Sequence, residues 1–301
     1  EAKISPEHID TVIFGNVIQS NTDTAYLARH VGLRIGVPVA SPALVVNRLC
    51  GSSFQSVVSG VHEILCGDAN VALVGGSENM SEVGFAVRNV RFGTRLGVDY
   101  KFEDILWNTL TDHYAKIPMG LTAEKLAEKY EITRQACDEY ALKTQMRWKK
   151  AHESGAFTAE MAPVEVKSKK GPKELNRDEH PRDATIEMLA KLPPVFKKNG
   201  TVTAGNASGV SDGAGALILA SEEAVSQHKL TPLARIVSYS AVGCEPTIMG
   251  IGPVPAIRNV LKATGKTIDD IDLVEVNEAF APQYLAVEKE LGLNPDKTNL
   301  C

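Results

Sequence analysis

Four things are missing from this sequence, and each absence removes a class of protein. The five cysteines, Cys50, Cys66, Cys137, Cys244 and Cys301, form no Cys-x-x-Cys unit and no regular ladder. They read as free thiols in a reducing compartment, not as a disulfide framework or a zinc cluster. There is no basic surplus: 32 Lys and Arg against 37 Asp and Glu leave a net charge of −5. That excludes a general nucleic-acid binder, whose phosphate contacts need clustered cations. No apolar run reaches the ~18–20 residues of a membrane span. The opening Glu-Ala-Lys-Ile-Ser-Pro has neither the build of a secretory signal nor that of an Arg-rich transit peptide, and without a Met it does not read as a natural beginning. What is present is an ordinary globular balance, 44% hydrophobic and 23% charged over 301 residues. This suffices for one large domain or two medium ones with a sizeable core.

The first part of the chain alternates strand and helix signals. Thr11 to Phe14 is a short apolar run stopped by Gly15, and Ala43 to Asn47 is a β-branched run between Pro42 and Cys50. Phe54, Val57, Val58, Val61, Ile64 and Leu65 then mark the stripe of an amphipathic helix that Gly67 stops. Val71 to Val74 before Gly75-Gly76 reads as a fully buried strand, so strand, elbow, helix and strand form a βαβ unit of a parallel α/β core. From about 77 to 198 the strand signals fade into helices and loops. A long helix is expected behind the N-cap Thr133 as far as about Glu153, and a polar stretch runs from Lys167 to Asp183. The core texture returns after Gly200. Ala216–Ala220, Ala234–Val237 and Leu273–Val276 are strand-like, with helices at about 254–263 and 279–291. Ser5–Asn16 and Thr267–Asn277 form a weak repeat, each an Ile-Asp-x-Val strand entry followed by a helix carrying Tyr-Leu-Ala. If the halves are duplicated, the second stops short of a counterpart to the Cys50 turn.

Asn47-Arg-Leu-Cys-Gly-Ser-Ser-Phe-Gln55 places Cys50 between a strand and the first turn of a helix. Unpaired N–H groups and the helix dipole favour a thiolate there, Arg48 adds charge, and Gly51 leaves room for a sharp turn and a substrate. Such an elbow exposes the nucleophile of acyl-transfer enzymes. A buried structural thiol fits the local pattern equally well. His62-Glu63 with Cys66 lacks the second His of a zincin, so no metal site is expected.

Three long motifs narrow the choice. Val46-Asn-Arg-Leu-Cys-Gly-Ser resembles the nucleophile motif of thiolases, Val274-Glu-Val-Asn-Glu-Ala-Phe-Ala281 resembles their second signature, and Thr203-Ala-Gly-Asn-Ala-Ser-Gly-Val-Ser-Asp-Gly213 a third, in the family's order along essentially the whole chain. Leu192-Pro-Pro-Val-Phe-Lys-Lys and Val87-Arg-Asn-Val-Arg-Phe-Gly-Thr are most similar to its degradative, mitochondrial branch. The resemblance implies an α/β thiolase-like layered fold (α/β/α/β/α) with duplicated halves. It places an N-terminal domain over 1–224 with a helix-and-loop insertion at about 77–198, and a C-terminal domain over 231–301. It implies thiolytic cleavage of 3-ketoacyl-CoA to acetyl-CoA and a shortened acyl-CoA through an acyl-cysteine on Cys50. Asn277 would hold a water in one oxyanion hole. Arg182, Thr185, Ser208, Met119 and Phe280 would line the path of coenzyme A, which serves as co-substrate with no further cofactor. Relatives pair into homodimers or homotetramers, and the expected partners are acyl-CoA and CoA. Residue by residue the bland alternatives are a turn or cap for Asn277, a solvated arginine for Arg182, a loop for Ser208 and core packing for Met119 and Phe280.

The sequence departs from the family at three points. The Gly-His-Pro loop and the Cys-x-Gly-Gly-Gly loop are not among its residues, and the seven histidines stand in other contexts. The expectation is therefore a fragment missing pieces at both ends, inactive alone. Ser53 stands where the motif usually has Gly; if that position needs a positive φ, Ser costs about 1–2 kcal/mol, and if it needs only a small residue, Ser is tolerated. A biosynthetic acetoacetyl-CoA thiolase and a non-catalytic CoA-binding scaffold are the competing readings.

Overall fold

A computed structural model describes residues 2–168 and 171–301, Ser168 by its backbone alone. Lys169 and Lys170 of the polar stretch, and Glu1 of the expected N-terminal domain, lie outside the described residues. In chain order the strands are β1 (Thr11–Gly15), β2 (Ala43–Val46), β3 (Val71–Asn79), β4 (Phe85–Val87), β5 (Phe102–Asp104), β6 (Thr111–Asp112), β7 (Ile117–Pro118), β8 (Val164–Ser168), β9 (Gly171–Leu175) and β10 (Asp212–Ala220). The helices are α1 (Leu27–Ile35), α2 (Ser52–Cys66), α3 (Ile105–Thr109), α4 (Met119–Tyr130), α5 (Arg134–Glu153), α6 (Ile186–Ala190), α7 (Glu222–Gln227), α8 (Pro253–Thr264) and α9 (Ala281–Leu291). They assemble into two units, residues 1–110 with 210–237, and residues 111–209 with 238–301.

The first unit is built on a four-stranded sheet in the order β10-β3-β1-β2. β1 runs parallel to both β2 and β3, while β10 pairs antiparallel with β3. Every residue of β1 is buried, as a parallel strand covered on both faces requires. Its alternation splits the core: Val12 and Phe14 join Ala28 of α1, Leu73 and Ala224 of α7, while Ile13 joins Ala72 and Val74 beside Val57 of α2. The expected βαβ unit is thus formed.

Four expectations need correction. The apolar stripe of α2 is only partly its buried side: Val57 packs on the Ile13 cluster, but the fully buried residues are Ser52, Ser56 and Gly60, and Phe54 and Leu65 are 80% and 77% exposed. Close approach decides this. A Cβ on Gly60 would meet Val74 at 2.8 Å and Leu219 at 3.0 Å, so the strands' branched side chains fill the gap and only small residues fit opposite them. The strand expected at Ala234–Val237 is absent; the segment pairs with no strand among the described residues and exposes Val237. Leu273–Val276 likewise forms a single bridge, Val274 with Thr298, because a side chain rather than a neighbouring strand takes up the backbone groups of Val276. The stretch from 77 to 198, expected as helices and loops, also carries the antiparallel pairs β4–β5, β6–β7 and β8–β9, strands of two to five residues that are too short for a periodic signal.

The second unit packs α5, α8 and α9 around Cys137, Tyr140, Val254, Ala281, Tyr284 and Val287. α5 has the expected bounds, and Thr133 Oγ1 accepts from Ala136 N at 3.1 Å as the N-cap. Tyr140 and Tyr284 stack with centroids 4.1 Å apart. No helix among the described residues is long and apolar enough to cross a membrane.

One electrostatic contact of the first unit is testable by pH. Ser81 N donates to Asp212 at 3.0 Å, and that bond holds the Asp212 carboxyl below the usual carboxylate range. A depressed folded-state pKa contributes stability above the ordinary carboxylate pKa and loses it as pH falls through the folded value. Asp212→Asn is expected to melt below the parent at pH 7 and to converge with it in acid; a gap that persists at pH 2 on thermal denaturation rejects the assignment.

Candidate active site

The turn that presents Cys50 is wound by its own side chains. Asn47 Oδ1 accepts from Leu49 N at 2.9 Å while its Nδ2 donates to Val17 O at 3.1 Å. Ser52 Oγ accepts from Arg48 N at 2.9 Å and donates to Leu49 O at 2.5 Å. Arg48 Nε donates to Gln55 at 2.7 Å, which draws its guanidinium along the helix. Leu49 is held at φ +47°, a left-handed conformation that branchless backbone prefers and that a sharp elbow imposes. The result is an exposed Cys50 two residues before the first residue of α2, not a thiol buried in the core. The nucleophile-compatible alternative is the one the geometry permits.

Glycines let the helix tip sit directly on the strand ends. A Cβ on Gly15 would lie 2.4 Å from the Ser52 carbonyl carbon, and one on Gly76 would lie 2.0 Å from Ser53 Oγ. Ser53 lies inside α2 and its φ is not positive, so its site asks for a small residue and not for glycine's conformational range. Serine is therefore tolerated. Cys137 shows the opposite fate for a thiol: it is fully buried, and burial, helped by Asp138, pushes it up to about 12.

The other six candidates all lie in the second unit, and several converge on one backbone node. Ser208 donates through both N and Oγ to Ala279 O, each at 3.0 Å, and Ala281 N donates to Asn206 O at 2.9 Å. The Gly-Asn-Ala-Ser loop is thereby tied to the segment carrying Asn277 and Phe280. Asn277 itself is exposed, and Phe280 is half-buried at the N-terminus of α9. Met119 opens α4 beside Gly120, where a Cβ would strike the Phe196 ring at 2.2 Å; Phe196 also meets Phe280 edge-on at 6.2 Å. Phe196 thus packs against Phe280 and against Gly120, the residue next to Met119. Its motif, Leu-Pro-Pro-Val-Phe, carries no local signal for that role.

Arg182 reaches the same region through a neighbour. Gly209 lies so close to His180 that a Cβ would fall 2.1 Å from the imidazole, so the loop carrying Arg182 rests on the residue after Ser208. No spacing signal marked His180. Arg182 N donates to Gln145 at 2.9 Å, its side chain is exposed, and no carboxylate among the described residues pairs with its guanidinium. Lys149 pairs instead with Asp183 at 2.8 Å, which lowers the carboxyl and raises the ammonium from their ordinary values. Thr185 caps α6, its Oγ1 accepting from Met188 N at 3.3 Å, so that hydroxyl already serves the fold.

A loop cradle supports these residues. Glu124 is 3% exposed and accepts from Thr201 N, Thr201 Oγ1 and Val202 N at 2.8–3.0 Å. Asp138 is paired with Arg134 at 2.8 Å and accepts from Asn206 Nδ2 at 2.9 Å. Both carboxylates hold the loop from Asn199 to Asn206 that leads to Ser208.

Comparison with known proteins places this arrangement. The thiolase N-terminal domain matches residues 1–223 and the thiolase C-terminal domain residues 230–301. Mitochondrial 3-ketoacyl-CoA thiolase of Bos taurus is 62% identical over 299 residues, covering 99% of this chain and 75% of that protein. The crystal structure of human mitochondrial 3-ketoacyl-CoA thiolase superposes with a TM-score of 0.97 at 61% identity, over 99% of this chain and 76% of that one. The same human protein in complex with CoA gives 0.96 at 60% identity, over 99% and 75%. The α/β thiolase-like fold expected from the motifs is thus the observed one. With both domains matched in order and the fold shared at this level of identity, the chain belongs to the thiolase family.

Proposed function

We propose that the full-length protein is an acetyl-CoA acyltransferase that cleaves 3-ketoacyl-CoA with CoA in fatty acid β-oxidation, a reading supported by its likeness to the bovine protein named a mitochondrial 3-ketoacyl-CoA thiolase. The observation that carries the proposal is the exposed thiol of Cys50 on a strand-to-helix elbow, within a chain 62% identical to that relative over 299 residues. The Cys50 thiolate attacks the 3-keto carbon, and the C2–C3 bond breaks with its electron pair left on C2 of an acetyl-CoA enolate. A proton on that carbon completes acetyl-CoA. CoA thiolate, its proton released, then attacks the acyl carbon, and the bond to Cys50 Sγ breaks to return the thiolate. A thiolate suits both steps because it is a strong nucleophile and a fair leaving group. The Cys50 N–H in the turn leading into α2 serves one developing oxyanion, and a water held by Asn277 serves the other. Ser208, Met119 and Phe280, the last packed on Phe196, fit the pantetheine end of CoA, and the exposed Arg182 fits its phosphates by forked, charge-assisted bonds. Thr185 contributes through the cap of α6.

The same reading places the domain boundary between 224 and 231, the protein in mitochondria, and its copies in homodimers or homotetramers that sedimentation would size. The direct test is covalent: after quenching with 3-ketoacyl-CoA in the absence of free CoA, peptide mass spectrometry is expected to find the acyl group on Cys50. An acyl group on any other cysteine, or on none, overturns the proposal.

A further inference from the structure

The segment Val274–Phe280 is neither helix nor laddered strand beyond the single Val274–Thr298 bridge, and side chains from elsewhere in the second unit take up several of its polar groups. Asn299 does most of this. It is 5% exposed and held at φ +48°, and its Oδ1 accepts from Val276 N at 2.8 Å while its Nδ2 donates to Val276 O at 2.8 Å and to Glu278 Oε1 at 3.0 Å. The same Glu278 oxygen accepts a hydrogen bond from Tyr140 Oη, and Tyr140 is fixed by its stack on Tyr284. Asn299 is itself anchored: Arg147 Nη1 donates to the carbonyls of Thr298 and Asn299 at 2.9 and 2.8 Å, and Asn299 N donates to Val274 O at 2.9 Å.

These bonds bracket a single residue. Val276 on one side of Asn277 is held at both its N–H and its carbonyl, and Glu278 on the other side is held at its carboxylate by two donors. Among the described residues Asn277 makes no side-chain bond of this kind, and it is exposed. A frame that fixes both neighbours while leaving the middle side chain free is what an oxyanion donor needs, because its value depends on being aimed before the charge develops. We infer that Asn299 and Tyr140 are positioning residues for Asn277, acting through Val276 and Glu278. This rests on the reading of Asn277 given above.

Three kinetic variants of the full-length protein separate that reading from this one. Asn277→Ala is expected to lower kcat about 10²-fold with KM little changed, since it removes a transition-state interaction. Asn299→Asp keeps the acceptor for Val276 N but replaces both donors with a charge facing Glu278, and is expected to lower kcat about 10-fold or more with KM within about twofold. Tyr140→Phe removes one hydrogen bond without changing the stack and is expected to cost a few-fold in kcat, so it carries the test if Asn299→Asp does not fold. Made in the Asn277→Ala background, both changes should add less than about twofold, because residues acting through one group are not additive. Full multiplicative losses in that background, or a rise in KM alone, overturn the inference and leave the role of Asn277 standing. An undiminished kcat in Asn277→Ala removes the role of Asn277 and the inference with it. Native hydrogen exchange supplies an arm that needs no turnover. Faster exchange of the 273–280 amides is expected in both variants, and parent-like exchange in both overturns the frame.

Discussion

In the full-length protein, alanine at Cys50 is expected to reduce thiolysis by at least about 10³-fold, the scale on which removal of a covalent nucleophile acts, while leaving the protein folded. The chemistry sets the first half of this expectation. Without Sγ there is no acyl-enzyme, and the elbow's N–H groups can only polarise a carbonyl that nothing attacks. The structure sets the second half. Cys50 is exposed, and the turn around it is made by Asn47, Ser52 and Gln55, none of whose bonds involves its side chain. The change in stability should therefore stay within the roughly 0.5 kcal/mol usual for surface substitutions. Steady-state kinetics read with a denaturant midpoint check both halves. Activity within tenfold of the parent would remove Cys50 from the mechanism, and a collapse of the midpoint would mean that its role is structural. Alkylation under native conditions gives an internal control, since Cys137, buried with its thiol pushed up to about 12, should be spared until the protein unfolds.

The second large effect is on stability and lies away from the cysteine. Glu124→Ala is expected to cost about 3–5 kcal/mol, because it leaves three donors without their partner at a site where Val202 is buried and Thr201 half-buried, and each such orphan costs about 1–3 kcal/mol before relaxation. The carboxylate has no ion-pair partner among the described residues and is satisfied by Thr201 and Val202 alone. The loop is folded tightly over it: a Cβ on Gly200 would lie 2.2 Å from Glu124 Oε1, and Asn199 adopts φ +57°. Glu124→Gln should also destabilise, since its amide would turn donors toward donors. Urea unfolding measures the loss, and a cost below about 1 kcal/mol for the alanine variant would show that the loop does not depend on this carboxylate. As the same loop carries Asn206 and Ser208, partial loss of fold here should appear in KM for CoA before it appears in the acylation step.

The residues around Cys50 could be read directly because their geometry is local. A β-branched run, a Cys-Gly turn and a helix start are contiguous, and neighbouring side chains such as Asn47 and Ser52 complete the elbow. The same is true of Thr133 and α5. Where partners are distant in sequence, local reading failed. Leu273–Val276 has strand composition, but Asn299 takes the place of a neighbouring strand from 23 residues away. Ala234–Val237 has the same composition and no ladder. Phe196 and His180 carry no periodic signal; their importance comes from contact with Phe280 and Gly209, which nothing in their own neighbourhood announces.

By itself the sequence determined the α/β class, the elbow at Cys50, the long capped helix and, through three motifs, the family, while the exposure of the thiol came from the structure. The tertiary structure alone decided which face of α2 is buried, why Ser53 is acceptable against Gly76, and how Ser208, Phe280 and Asn277 come to share one hydrogen-bonded frame. The physical reason is one of range. Turn, cap and helix are set by bonds between near neighbours, whereas close packing and the pairing of buried donors with acceptors are settled only when distant segments meet and every polar group must find its partner.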